Sequence, residues 1–263
     1  MILIKDDAGQ TMHSVTIMAT VTITPEQASM DAFRDTLVRD AGSDTIADKL
    51  CAVGEYQQIA RGGELPVDPD EDRLVFIASG SAKLFASSPA RGASGDEAEN
   101  PTLSTQVLAF HFPGDIVSVL RQADGDFRLA ALSDLEVVIF RADQFLDVAQ
   151  NDPAVIRTVL ARSLQALHRS RTRMMQMGHK SARQRIADFL VSIAERICGR
   201  TSGECEFNLP MSRRDIGDSL GLTIETVSRQ FADLKAEGLI ETNGRSGIRL
   251  CNLDALASRG GCQ

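Results

Sequence analysis

The segment Met211 to Lys235 constrains this chain more than any other. Ser212 stands where a helix N-cap belongs, with Asp215 three residues on as its reciprocal partner. Gly221 then supplies the left-handed residue that ends a helix. Thr223 opens a second helix, Ile224-Glu225-Thr226-Val227-Ser228-Arg229-Gln230-Phe231-Ala232-Asp233-Leu234-Lys235. Ile216, Leu220, Leu222, Val227, Phe231 and Leu234 form an apolar set that locks the two helices together. Glu225, Ser228 and Arg229 fall on the opposite, outward face. Such a pair leaves little freedom: it is a helix-turn-helix whose second helix presents its N-terminal half to a partner.

The residues C-terminal to this pair narrow the expectation. Gly238 to Leu250 reads as two strands around an Asn243-Gly244 turn, the wing of a winged helix-turn-helix. A helix entering the major groove of DNA offers its first residues to base edges. Arginine can bind guanine O6 and N7 together, and glutamate can accept from cytosine N4. Glu225, Ser228 and Arg229 are therefore the expected base contacts. Arg245 at the wing tip and Arg213 at the start of the first helix are expected to straddle the phosphate backbone.

Charge supports this partner only when it is divided along the chain. The 263 residues carry a formal net charge of -8. Residues 1–150 hold 11 basic and 24 acidic side chains, whereas residues 151–263 hold 17 and 12. The basic surplus lies with the winged unit, where a polyphosphate would bind, and an acidic remote domain does not prevent that.

The rest of the chain sorts into four stretches. Residues 1–50 read as a variable N-terminal extension, with β-type alternation in Val15 to Ile23 and a helical stretch from about Pro25 to Arg39. Residues 51–150 turn to short β-rich runs, namely Tyr56–Ala60, Arg73–Ala78, Ala82–Ala86, Thr105–Phe112, Asp126–Leu132 and Leu135–Phe140. Turn signals at Ala78-Ser79-Gly80-Ser81 and Phe112-Pro113-Gly114-Asp115 punctuate them. Ser87 to Ser104 is expected to be a loop. An antiparallel barrel or double-sheet roll fits this texture.

Residues 151–178 read as one long helix. Asp152-Pro153 supplies a cap and a first-turn proline. Ile156, Leu160, Ser163, Leu167, Ser170, Met174 and Met177 come in alternating steps of four and three, a heptad seam suited to a homodimer. Residues 179–263 form the DNA-binding unit, entered through an amphipathic helix from Ser181 to about Ile197. The expected fold class is thus α+β: an N-terminal antiparallel β-roll, a long dimerisation helix and a C-terminal winged helix-turn-helix.

With these elements placed, a family resemblance becomes specific. The block S-R-R-D-I-G-D-S-L-G-L-T-I-E-T-V-S-R, followed by A-E-G-L-I and N-G-R-x-G-I, is similar to the DNA-binding domain of the CRP/FNR family. E-T-V-S-R resembles its FNR/FixK branch. The likeness extends through F-H-F-P-G-D (Phe110 to Asp115) and K-S-A-R-Q-R-I-A-D-F-L (Lys180 to Leu190), covering about residues 50 to 258. It implies a cyclic-nucleotide-binding-like roll and a dimer on double-stranded DNA, at an inverted repeat of a TTGAT-type half-site. By the same resemblance Glu225, Ser228 and Arg229 match the base readers, and Arg213, Thr223 and Thr226 match phosphate-holding positions. RNA polymerase is the implied further partner. An activator of low-oxygen, nitrogen-oxide or nitrogen-fixation genes is the implied role.

The same resemblance removes several cofactors. Where cyclic-nucleotide binders carry Gly-Glu and Arg-Ser/Thr, this chain has Ser118-Val119 and Arg128-Leu129, so the phosphate cradle is missing. Residues 1–50 contain no cysteine to hold an iron-sulfur centre. Haem is conceivable through His13 or His111, but His111 lies in the F-H-F-P-G-D motif, so an ordinary structural role is the reading and no cofactor is expected. No nucleophile-base set, metal spacing or phosphate loop points to an enzyme.

The five cysteines, Cys51, Cys198, Cys205, Cys251 and Cys262, are scattered and odd in number. They suggest neither a disulfide framework nor a metal site, hence reduced thiols in the cytoplasm. Cys198 and Cys205, which flank the entry to the DNA-binding unit, are the candidates for oxidation. That supplies the competing reading, a regulator gated by redox state or by an unknown effector in the roll. No run approaches the ~20 apolar residues of a membrane span.

Overall fold

The computed structural model describes residues 23–65, 68, 70–89, 103–119 and 126–260, and for 87–89, 103–104, 126, 169 and 173–178 the backbone alone. The alternation expected from Val15 lies outside these residues except for Ile23, which is not in a strand. Of the expected Ser87 to Ser104 loop, 90–102 lie outside these residues; its described ends, 87–89 and 103–104, are not loop but continue the flanking strands.

The chain enters through α1 (Pro25–Ala41), capped by the Thr24 hydroxyl and started by Pro25, and α2 (Asp44–Cys51). Only one narrow face of α1 is apolar, which is why the sequence suggests an appendage. That face is nevertheless inserted into the neighbouring domain. The Phe33 ring lies 5.3 Å from that of Phe76 and 4.7 Å from that of Phe140, and Leu37, Ile46 and Leu50 are buried with it. Residues 25–51 are therefore part of the β-roll's packing rather than a separate extension.

The roll consists of β1 (Glu55–Ile59), β2 (Glu64–Leu65), β3 (Arg73–Ser79), β4 (Ala82–Pro89), β5 (Leu103–His111), β6 (Ile116–Val119), β7 (Asp126–Ala131) and β8 (Leu135–Arg141). They pair antiparallel in two sheets, ordered β1-β8-β3-β6 and β2-β7-β4-β5. Ile59, Val75, Ile77, Val117, Val119, Leu129, Leu135 and Val137 fill the space between them. The short strands β2 and β6 were not expected, since two to four residues carry too little alternation to read. The Phe112–Asp115 turn closes as predicted: the Asp115 amide donates to the Phe112 carbonyl at 3.1 Å and Gly114 has φ 90°.

Beyond the roll come α3 (Ala142–Ala149) and the long helix α4 (Pro153–His179), whose first turn is capped by Asp152 accepting from the Ala154 amide at 2.8 Å. The C-terminal unit holds α5 (Ala182–Cys198), β9 (Cys205–Asn208), α6 (Arg213–Leu220), α7 (Ile224–Ala236), β10 (Ile240–Asn243), β11 (Gly247–Leu250) and α8 (Leu253–Gly260). Its sheet has three strands, ordered β10-β11-β9, with β9 an addition to the expected wing hairpin. The closing helix α8, also unforeseen, packs on α5. Gly260 approaches so closely there that a Cβ would sit 1.9 Å from Asp188 Oδ1.

Roll and C-terminal unit share one apolar cluster. Phe85, Val107, Phe110, Phe112, Ala130 and Leu132 of the roll are buried together with Ile186, Phe189, Met211 and Ile216. The second sheet of the roll thus has two covered faces, one on its own core and one on the DNA-binding unit.

Candidate nucleic-acid interface

The α6–α7 pair is built by local rules. The Ser212 hydroxyl accepts from the Asp215 amide at 3.1 Å, and Asp215 Oδ2 accepts from the Ser212 amide at 2.9 Å, completing the capping box. Gly221 ends α6 in the left-handed region, and the Leu222 amide donates to the Gly217 carbonyl at 3.0 Å. Gly217 permits that tight turn, because a Cβ there would lie 2.6 Å from the Leu222 carbonyl oxygen. Thr223 caps α7 by accepting from the Thr226 amide at 3.2 Å. Ile216, Leu220, Val227, Phe231 and Leu234 are buried between the helices and their neighbours.

This packing leaves Glu225, Ser228 and Arg229 exposed together over the first two turns of α7. The Glu225 carboxyl is held below its ordinary range by its own amide and by the Thr223 hydroxyl. It stays anionic at the positive end of the helix. Thr223 is exposed and Thr226 half-buried, their hydroxyls 3.1 Å apart.

Two expected backbone contacts fare differently. Arg245 lies exposed in the wing loop, as its position requires. The loop spans Gly244-Arg245-Ser246 because Asn243 still pairs with Gly247, so Asn-Gly is not itself the two-residue turn the sequence suggested. Arg213 turns inward. Its guanidinium carbon sits 3.2 Å from the Phe231 ring centroid, its Nη1 is buried without a hydrogen-bond partner, and burial pushes its pKa down to about 10. Adjacent helix residues point about 100° apart, so one of Arg213 and Arg214 faces the core and the other, Arg214, is exposed.

The interface is anchored to the roll by charged contacts that no local pattern announces. Lys83 Nζ on β4 lies 2.5 Å from Asp215 Oδ1, so the capping carboxylate of α6 also holds the roll. Arg196 on α5 donates to the Phe110 carbonyl at 2.6 Å, pairs with Asp115 and covers the Phe112 ring. Arg185 donates to the Leu220 carbonyl at 2.7 Å, closing the C-terminus of α6. His111 contacts Asp115 through Nδ1 at 3.3 Å.

Helix α4 has two characters. Its first turns pack on their own domain: Val155 is buried, Ile156 and Val159 are partly covered, and Arg162 pairs with Asp40 and donates to the Gly114 carbonyl. Ile156 therefore contributes to its own chain's core, because α1 reaches this far. From there Leu160, Leu164 and Leu167 are 56%, 56% and 46% exposed, with Ser163 and Ser170 also exposed. The side chains of Met174 and Met177 lie outside the described residues.

At the nucleotide-binding positions Ser118 is exposed and Val119 buried in the roll, while Arg128 pairs with Glu64 at 3.3 Å. Cys198 and Cys205, scattered in sequence terms, line the same cavity.

Comparison with known proteins agrees with this architecture. Residues 184–259 match the Crp-like helix-turn-helix domain. The transcriptional regulatory protein btr of Bordetella pertussis is 32% identical over 207 residues, 78% of this chain and 80% of that protein. The transcriptional activator protein FnrL of Cereibacter sphaeroides is 32% identical over 160 residues, 59% of this chain and 64% of FnrL, slightly under two thirds of its length. Among solved structures, FixK2 from Bradyrhizobium japonicum superposes with a TM-score of 0.65 at 27% identity, covering 79% of this chain and 97% of that one.

Proposed function

The chain belongs to the CRP/FNR family of DNA-binding transcription regulators, and from that premise we propose that it works as a homodimer reading a TTGAT-type inverted repeat with α7. The observation that carries this is the joint exposure of Glu225, Ser228 and Arg229 on the first two turns of a helix whose other face is fully packed. A helix N-terminus laid into the major groove brings those three to base edges, Arg229 to a guanine and Glu225 to a cytosine amino group. Thr223, Thr226 and Arg245 surround them as phosphate contacts. In the described conformation Arg213 supports the site from within, by packing under α7.

Self-association through α4 is supported by the exposed Leu160, Leu164 and Leu167 stripe, flanked by the small Ser163 and Ser170. Two chains related by a two-fold axis place their recognition helices about one DNA turn, roughly 34 Å, apart, matching a palindrome. Bound beside a promoter, such a dimer contacts RNA polymerase and activates low-oxygen, nitrogen-oxide or nitrogen-fixation genes, the last being what relatives named nitrogen fixation regulation protein FixK suggest. Among the described residues no helix is long and apolar enough to cross a membrane.

Fluorescence anisotropy with purified protein tests the reading. Tight, salt-dependent binding to a TTGAT palindrome and much weaker binding to its scrambled version are expected. Equal affinity for the two would sink it. The second reading, a regulator gated by oxidation, is favoured by one observation, the placement of Cys198 and Cys205 on one cavity.

A further inference from the structure

Cys198 ends α5 and Cys205 opens β9, with the loop Gly199 to Glu204 between them. The fold returns that loop on itself and brings the two thiols into one neighbourhood, close enough for Cys198 to raise the pKa of Cys205. Both line one open cavity of about 420 Å³, together with Arg200, Glu204, Glu206 and Arg249. Cys205 is buried and Cys198 half-buried, so Cys198 is the more accessible of the two thiols. Among the described residues no group of three or more potential histidine, cysteine or carboxylate metal ligands forms, so this donor set is a dithiol and nothing larger.

We propose that Cys198 and Cys205 are a redox pair that a hydroperoxide converts to an intramolecular disulfide, and that this bond shifts the wing relative to α7. The Cys198 thiolate attacks the peroxide; an S–O bond forms, the O–O bond breaks, and water or an alcohol leaves. Cys205 gives up its proton and attacks the resulting sulfenic sulfur; the S–S bond forms, the S–O bond breaks, and a water leaves. In sum the two thiols lose two electrons and two protons, which the hydroperoxide takes up. Burial and the neighbouring Cys198 raise the Cys205 thiol to about 11, which suits it to the resolving step, while Arg200 opposes that rise.

The sheet gives this bond a mechanical consequence. A disulfide fixes two sulfurs at about 2.05 Å, which draws β9 toward the end of α5. β9 is paired with β11 along its length, Cys205 opposite Leu250 and Asn208 opposite Gly247, and β11 forms the wing hairpin with β10. Arg245, between β10 and β11, therefore sits on the sheet that β9 pulls, whereas Ser228 and Arg229 sit on α7. This consequence for DNA rests on the reading of α7 and the wing proposed above.

The test uses the full chain with Cys51, Cys251 and Cys262 replaced by Ser, alongside the wild type, each reduced or treated with hydrogen peroxide. Expected are the joint loss of two alkylatable thiols and a mapped Cys198–Cys205 cross-link. Affinity for the palindrome should fall roughly threefold or more, a change readily resolved in a dissociation constant, and dithiothreitol should restore it. Cys198→Ser and Cys205→Ser should each abolish all three changes, with unfolding midpoints measured to show that both variants fold. Retention of both free thiols, a cross-link to another cysteine or another chain, or unchanged affinity of the cross-linked protein would each overturn the proposal. Reduced protein is assayed on DNA first: if it does not bind, the functional reading falls, and mapping alone judges the bond.

Discussion

Lys83 of the β-roll and Asp215 of the first helix of the DNA-binding pair form an ion pair at 2.5 Å, with side chains 22% and 12% exposed. One carboxylate thereby caps α6 and ties it to a different domain. Burial works against the charged Asp215, but the bonds from Lys83 and Ser212 outweigh it and its pKa stays below the ordinary range. Lys83→Ala leaves a partly buried carboxylate short of a partner and is expected to cost about 1–2 kcal/mol, between exposed and fully buried pairs. Asp215→Ala also removes the cap and should cost about 2–3 kcal/mol. Urea denaturation of both single variants and the double variant checks this. The double should cost less than the two singles together, and strict additivity would mean that the two groups are not coupled in solution.

Asp115 makes stability depend on acid. Burial would raise its pKa, but the His111 hydrogen bond, the Arg196 charge and the Phe112 amide bring it down from 3.8 to about 2. A pKa lower in the folded than in the unfolded state contributes stability that is complete above about pH 4 and is lost as the pH falls toward 2. The shift corresponds to about 2 kcal/mol. The difference in unfolding free energy between wild type and Asp115→Asn should therefore be largest near neutrality and shrink by about that amount between pH 5 and pH 2. A difference independent of pH would mean that Asp115 does not carry the acid sensitivity.

Arg229 is exposed on α7, one turn past Glu225. If it binds a guanine with two hydrogen bonds, Arg229→Ala should cost about 1–3 kcal/mol on the cognate site and relax preference at that base. Anisotropy titrations against single-base variants of the half-site give the answer. An equal loss on cognate and random DNA would reassign Arg229 to the phosphate backbone.

The stripe of Leu160, Leu164 and Leu167 predicts the oligomeric state. Leu164→Glu puts a charge where a second α4 would pack, at a position already 56% exposed in the single chain. Folding of the chain should be little affected, while sedimentation velocity should show a dimer becoming a monomer and palindrome affinity should fall at least tenfold, or about 1.4 kcal/mol. A variant that remains dimeric at micromolar concentration would move the interface elsewhere.

Much of this molecule was legible in the residues because its strongest signals are local. Ser212, Asp215, Gly221 and Thr223 act within one helical turn of themselves, and they delimit α6 and α7 correctly. Asp152-Pro153 starts α4, and Pro113-Gly114 makes its turn, for the same reason. The apolar alternation of β3, β5 and β8 is long enough to read; that of β2, β6 and β9 is not.

The tertiary structure alone decided what depends on distant partners. It inserted Phe33 between Phe76 and Phe140, turned Arg213 rather than Arg214 beneath α7, joined Lys83 to Asp215 and set Cys198 and Cys205 on one cavity. Each of these is a choice among side-chain directions that are equivalent along the chain. They become unequal only when another element supplies the ring, the charge or the thiol on the far side. From the residues alone, then, come a winged helix-turn-helix and the three side chains it presents. How that unit is held to the roll, and which thiols meet beside it, are set by packing.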